Sequence, residues 1–347
     1  MKTFDEIFTD KTKYGVKVQT SEYSKQGKYI IIDQGQSQIA GYTDREEGVF
    51  EELPVIVFGD HTRTIKYVDK PFFLGADGVK VLRSNDSNAN YKYLYYALKS
   101  AKIPDTGYNR HFKWLKKIQI NYPDNNRQEE IVQILDKVSD VIKNRETELS
   151  ALDELIKARF IEMFGNPVSN EMCWEQAPLS SCIESIENGK SFVCNSVNRE
   201  GDWPAVLKLS AVTYGFYCPE ENKAVLDKNQ FIEGAAVRDG DLLFTRKNTP
   251  ELVGMCAYVY DTPSKLMMPD LIFRLNINQR CNKIFLWKLI NHDLFRDCIQ
   301  AIATGSAKSM SNISKERLLG LKIILPPIEL QEQFATFVTQ TDKSKVT

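Results

Sequence analysis

Arg127-Gln128-Glu129-Glu130-Ile131-Val132-Gln133-Ile134-Leu135 follows the turn Asn121-Tyr122-Pro123-Asp124, and Leu330-Gln331-Glu332-Gln333-Phe334-Ala335-Thr336-Phe337-Val338 follows Leu325-Pro326-Pro327. The stretches lie 203 residues apart (330 minus 127), so that Ile131, Ile134 and Leu135 fall on Phe334, Phe337 and Val338. Each joins a proline turn, a Gln-Glu pair and an apolar run of helical period, and the likeness lies in this pattern rather than in identical residues. Recurrence at one offset points to a duplicated unit.

The segments before each stretch recur in the same order. Lys92–Leu98, Thr106-Gly107 and the apolar run 118–120 precede the first; Ile284–Ile290, Thr304-Gly305 and the run 321–325 precede the second. Short β-rich runs at 29–32, 54–58, 79–82, 241–244, 256–260 and 271–275 are bounded mostly by Gly, Asp, Asn or Pro, which predicts strands. Helices are expected over 91–100 and 283–302. The fold class is therefore α+β, twice.

Between the repeats, positions 131, 135, 138, 142, 145, 149, 152, 156, 159 and 163 step by four and three, and eight of the ten are Ile, Leu, Val or Met, with Arg145 and Arg159 as the exceptions. That is a heptad seam. It predicts a helix over 128–163, with Asn125-Asn126 as cap and Gly165-Asn166-Pro167 as stop. At 1.5 Å per residue it is on the order of 50 Å long, more than a turn of B-DNA at about 34–36 Å. The competing reading is a helical linker that packs locally. The expected division is residues 1–124 and 167–325 as two modules, 125–166 as the central long helix and 326–347 as a short second helix. A second helix as long as the first would run to residue 366, which is 19 beyond Thr347, so the helices are expected to be unequal.

Composition narrows the function classes. A chain of 347 residues, 42% hydrophobic, can bury two cores. The N-terminus is charged and the apolar runs are too short to span a bilayer, so a soluble, cytoplasmic protein is expected. Seven cysteines, odd in number, all in the second half and without a Cys-x-x-Cys pair, favour reduced thiols over disulfides or zinc. Net charge is −1; residues 1–124 hold 19 Lys/Arg against 16 Asp/Glu, and residues 125–165 hold 6 against 9. A protein that bound DNA by phosphate neutralisation alone would be more basic. Catalytic motifs are missing too: no Gly-rich phosphate loop with Lys-Ser/Thr occurs, and His61, His111 and His292 lack metal spacing. Asn121-Tyr122-Pro123-Asp124 is similar to an adenine-methyltransferase loop only in part, without adjacent prolines or a final aromatic. Neither a catalytic nor a metal site is expected.

Ile324 to Gln333, Ile134-Leu135-Asp136-Lys137-Val138 and Arg159-Phe160-Ile161-Glu162-Met163-Phe164-Gly165-Asn166-Pro167 resemble the specificity (S) subunit of type I DNA restriction-modification systems. Asp239-Gly240-Asp241-Leu242-Leu243 and Met268-Pro269-Asp270-Leu271 are similar to that family less specifically. The resemblance implies two pseudo-repeated target recognition domains separated by long helices that form an antiparallel coiled coil. It also implies a non-catalytic subunit that reads a split sequence in double-stranded DNA and docks two methyltransferase subunits. Those partners carry S-adenosylmethionine, and a restriction subunit using ATP and Mg can join; no cofactor is bound by this chain itself. The alternatives are a coiled-coil protein scaffold that never touches DNA, or an inactive truncated specificity subunit.

Candidate DNA contacts are polar loops whose groups reach phosphates or base edges. The first module offers His61, Thr62 and Arg63 after a strand, then Tyr108, Asn109, Arg110 and Lys113 after the Thr-Gly turn. The second offers Arg246, Lys247 and Asn248, then Thr304, Ser306, Lys308, Ser309 and Asn312. Each loop taken alone also reads as solvated surface; placement at corresponding points favours the loops after Thr106 and Thr304.

Overall fold

The computed structural model describes residues 1–75, 77–107, 109–305 and 310–345. Its contacts divide the chain into two compact units, Met1–Arg145 and Glu146–Thr347.

The first unit contains β1 (Lys2–Thr3), α1 (Phe4–Ile7), β2 (Phe8–Asp10), β3 (Tyr29–Ile32), β4 (Gly41–Thr43), β5 (Val55–Gly59), β6 (Ile65–Val68), β7 (Phe72–Leu74), β8 (Val79–Ser84), α2 (Tyr91–Lys99), α3 (Phe112–Leu115) and β9 (Gln119–Ile120), and it holds the start of α4 (Asn125–Phe164). A four-stranded antiparallel sheet has the order β2-β8-β5-β6. A three-stranded sheet has the order β4-β3-β7, with β4 antiparallel and β7 parallel to β3, and β1 pairs antiparallel with β9. Every residue of β5 is buried because both its faces are covered. Alternation along the strand sends Ile56 and Phe58 to a core with Leu94, Leu98 and Leu115, and sends Val55 and Val57 to a second core with Ile32, Phe72 and Leu74.

The second unit continues with β10 (Glu175–Pro178), β11 (Ile183–Asn188), β12 (Ala205–Leu207), α5 (Ser210–Thr213), β13 (Asn222–Ala224), β14 (Leu242–Thr245), β15 (Lys247–Asn248), β16 (Cys256–Tyr258), β17 (Leu266–Met267), β18 (Ile272–Ile277), α6 (Lys283–Asn291), α7 (Arg296–Ala301), β19 (Ser311–Asn312), α8 (Lys315–Leu319), β20 (Lys322–Leu325) and α9 (Ile328–Ser344). Its four-stranded sheet has the order β11-β18-β14-β16, all antiparallel. Its three-stranded sheet has the order β13-β12-β17, with β13 antiparallel and β17 parallel to β12, and β10 pairs antiparallel with β20. In these three sheets the order and sense of pairing match the first unit; the pair β15–β19 has no counterpart there among the described residues. The buried strand β14 divides its side chains in the same way: Leu242 and Phe244 face the helical core with Phe285 and Leu286, while Leu243 faces Ala205, Leu207 and Leu266.

Two local differences from the sequence reading, the cap of the long helix and a break in a later one, have physical causes. The long helix begins at Asn125 and ends at Phe164; the carboxylate of Asp124 accepts from Arg127 N at 3.0 Å, so Asp124 rather than Asn125-Asn126 caps it. Gly165, at φ +71°, closes it by donating to Ile161 O, the left-handed stop that glycine permits. The helix expected over 283–302 is broken after Asn291, where His292 is extended (φ −66°, ψ 130°) and its ring nitrogen accepts from Leu294 N. Within the second unit, α9 packs antiparallel to the end of α4. Phe334 meets Phe160 and Phe164 at 5.5 and 5.4 Å, Phe337 lies under Arg159, and Lys345, near the other end of α9, binds Asp153.

Among the described residues, which include all seven cysteines, no disulfide forms. No helix among them is long and apolar enough to cross a membrane.

Candidate nucleic-acid interface

One corner of each unit is tied together by the backbone. In the first, the residue after β5, Asp60, donates its N–H to Gly78 O at 2.6 Å, and its carbonyl accepts from His111 N at 2.8 Å. In the second, the residue after β14, Arg246, donates to Leu271 O at 3.0 Å and accepts from Ile313 N at 2.8 Å. Gly78 and Leu271 each immediately precede a strand, β8 and β18. The same three segments therefore meet in both units: the end of the central strand, the entry to its neighbour, and the far end of the Thr-Gly loop.

The corner orders the first unit's candidate residues. His111 is buried; its Nδ1 lies 3.1 Å from Asp60 O and its Nε2 lies 3.3 Å from Thr106 Oγ1. The Asp60 carboxylate accepts from Phe112 N at 2.7 Å and so heads α3. Arg63, at φ +62° in the β5–β6 turn, binds Asp105 at 2.8 Å, which ties the 59–64 turn to the Thr-Gly loop. The Gly107 amide, then Arg63, hold the Asp105 carboxyl below its usual range. Thr62 Oγ1 donates to Gln34 O, and His61 N donates to the Gln34 side chain. Asn109, Arg110 and Lys113 are exposed, the first with its amide on Thr106 O. The carboxyl of Asp77 is also held below its usual range, chiefly by its hydrogen bond from Lys17 and in smaller part by Arg110. Tyr108 lies outside the described residues.

In the second unit Arg246 stacks over Phe273 at 5.3 Å and reaches Asn312 Oδ1 at 3.3 Å. Lys247 and Asn248 pair with Asn312 and Ser311 through β15 and β19. Asn248 is buried, and its amide nitrogen donates to Thr213 Oγ1 at 2.9 Å. Thr304 and Asn312 exchange backbone hydrogen bonds of 2.8 and 2.7 Å, which closes a hairpin stem. Ser306, Lys308 and Ser309 lie outside the described residues.

Sequence reasoning missed Lys190, Lys208 and Lys223, which line one cleft beside this corner. They come from three separate segments, so no local motif marks them. The one local signal is Gly189, where an added Cβ would fall 2.0 Å from Pro269 O.

Compared with known proteins, residues 1–154 match the type I restriction modification DNA specificity domain. The match covers 154 of the chain's 347 residues. The chain is 33% identical over 161 residues to the EcoEI specificity subunit of Escherichia coli, covering 46% of this chain and 27% of that protein. It is 32% identical over 152 residues to the EcoR124I/EcoR124II specificity subunit of E. coli, covering 40% and 37%. These matches thus cover about a quarter to a third of the relatives' length. A crystal structure of the type I S subunit from M. genitalium aligns over 99% of this chain and 89% of its own, with TM-score 0.59 and 16% identity. At 16% identity that likeness is one of fold, and it covers residues of both units.

Proposed function

We propose that the chain is a non-catalytic, cytoplasmic, sequence-reading subunit of a type I complex. Each unit acts as a target recognition domain for one half of a split site in duplex DNA. The observation that supports this reading is the duplicated corner: two units of matching main-sheet order tie His111 and Ile313, which follow the Thr-Gly segments, to Asp60 and Arg246 in the same way. The antiparallel contact of α4 with α9 supports a coiled-coil spacer, on which methyltransferase subunits holding S-adenosylmethionine would dock; an ATP- and Mg-dependent restriction subunit would join them. Arg110, Lys113, Arg63, Arg246 and Lys247 are the cationic contacts, Asn109 and Asn312 the amide ones, while Asn248 acts from inside by fixing β15. Co-expression with a cognate methyltransferase subunit, followed by sequencing of methylated adenines, tests the proposal. A split motif that disappears without this chain is expected. A stable complex with no such motif would reject it in favour of a scaffold or a silent specificity subunit.

A further inference from the structure

The cleft lined by Lys190, Lys208, Lys223, Ser191, Asn195 and Asp270 encloses about 620 Å³ beside the second unit's corner. Lys208 is engaged, at 2.9 Å from Asn198 and 3.5 Å from Glu221. Among the described residues, no hydrogen bond or ion pair holds the ammonium of Lys190 or of Lys223, and both residues are exposed. Backbone geometry fixes the place of Lys190: its N–H donates to Met268 O and it bridges to Pro269, an approach open only because residue 189 is glycine.

The first unit repeats the device. Val16 and Val18 bond to Leu74 at the matching edge, beside β7, and Gly15 sits where a Cβ would meet the Leu74 side chain at 2.5 Å. The intervening Lys17 is exposed and pairs with Asp77, which lies two residues before β8 as Asp270 lies two before β18. A lysine at this edge in both units suits a ligand that passes both and is anionic throughout, which a small anion is not. The volume exceeds that of one phosphate, and the cleft's apolar lining of Phe192, Val206 and Leu207 suits a sugar between two phosphates.

We infer that this cleft follows the phosphate backbone of one DNA strand, with Lys190 and Lys223 each neutralising a phosphate; this rests on the DNA-reading proposal above. The test is the salt dependence of binding of the full chain to a fluorescein-labelled duplex of random sequence, between about 50 and 200 mM salt. Lys190→Gln and Lys223→Gln are each expected to lower the slope of log K against log salt by about 1, and the double variant by about 2. Thermal midpoints should stay unchanged, and Lys322→Gln on β20 should keep the wild-type slope. Wild-type binding with unchanged slopes in both variants overturns the cleft and leaves the DNA reading standing. Failure of the wild-type chain to bind at low salt removes both. Competition by inorganic phosphate at matched ionic strength would instead make the cleft a small-anion site.

Discussion

Gln331 explains at the level of one side chain why the pattern that marks the repeat contains glutamine. It is fully buried; its Nε2 donates to Pro326 O at 2.7 Å and Arg280 O at 3.3 Å, while its Oε1 accepts from Asn282 N at 2.9 Å. It thereby joins the proline turn to the residue that caps α6. Gln128, 203 residues earlier (331 minus 128), is equally buried and donates to Pro123 O at 2.8 Å. Leucine at 331 would take the partner from two carbonyls and an amide, with only the Pro326 bond fully buried; at about 1–3 kcal/mol for a group left away from water, Gln331→Leu should lose about 2–4 kcal/mol in denaturant unfolding. The neighbouring exposed Glu332→Ala should stay within about 0.5 kcal/mol. Equal stabilities in the two variants would show that the clamp contributes nothing. Lys288 gives a pH-dependent case. Burial pushes its ammonium down to about 8, against Asp342 at 3.9 Å and the Trp287 ring at 3.4 Å. The folded value lies below the unfolded 10.5, so below pH 8 both states are protonated and the burial penalty is complete. Between the two values the unfolded chain holds more protons, and wild-type stability rises with pH. Lys288→Met is therefore expected to stabilise the second unit at pH 7 by on the order of 1–3 kcal/mol. The gain should shrink as pH rises from 8 to 10.5; a pH-independent difference in melting temperature would exclude this cause.

The long helix α4 divides into parts of different energetic weight. Ile156, Phe160 and Phe164 are at most 3% exposed, whereas Val138, Val141 and Ile142 are 49, 67 and 54% exposed. Phe160→Ala should accordingly cost about 3–5 kcal/mol, and Val141→Gln should stay within about 0.5 kcal/mol, as measured by chemical denaturation of the full chain. A large loss at Val141 would mean that its face is covered in solution. Helix α4 was legible because a four-three apolar step has no strand reading, and the central strands were legible because runs buried on both faces stay apolar throughout. The break at His292 was not, since a ring nitrogen capping Leu294 N leaves no trace in hydropathy. Nor was the corner, because backbone atoms build it: Asp60 in one unit and Arg246 in the other, or His111 and Ile313, do the same bonding with unrelated side chains. The candidate loops were chosen by their place after strands and Thr-Gly turns, whereas Lys190 and Lys223, drawn from distant segments, carry no such mark.

Across the whole chain, near-neutrality limits what DNA binding can rest on. With net charge −1 and pI about 6.4, long-range attraction to a polyanion is weak, so affinity has to come from cations placed at particular corners. Arg110, a proposed contact, is exposed, and its charge contributes in small part to holding the Asp77 carboxyl low. Arg110→Ala should weaken binding to the cognate site, and equal affinity and unchanged half-site preference would remove it from the interface. The same locality predicts how specificity divides. Among the described residues every sheet is built from strands of one unit, and each corner closes within its own unit, so on the proposed reading each half-site would be read by its own unit's residues. Replacing residues 167–325 with the corresponding segment of a relative should therefore change one half of the methylated motif and leave the other half and the gap intact. Methylome sequencing of cells carrying the exchanged chain reads this directly. A change in both halves, or in the gap alone, would show that the two units do not read independently and would count against a separate recognition corner in each.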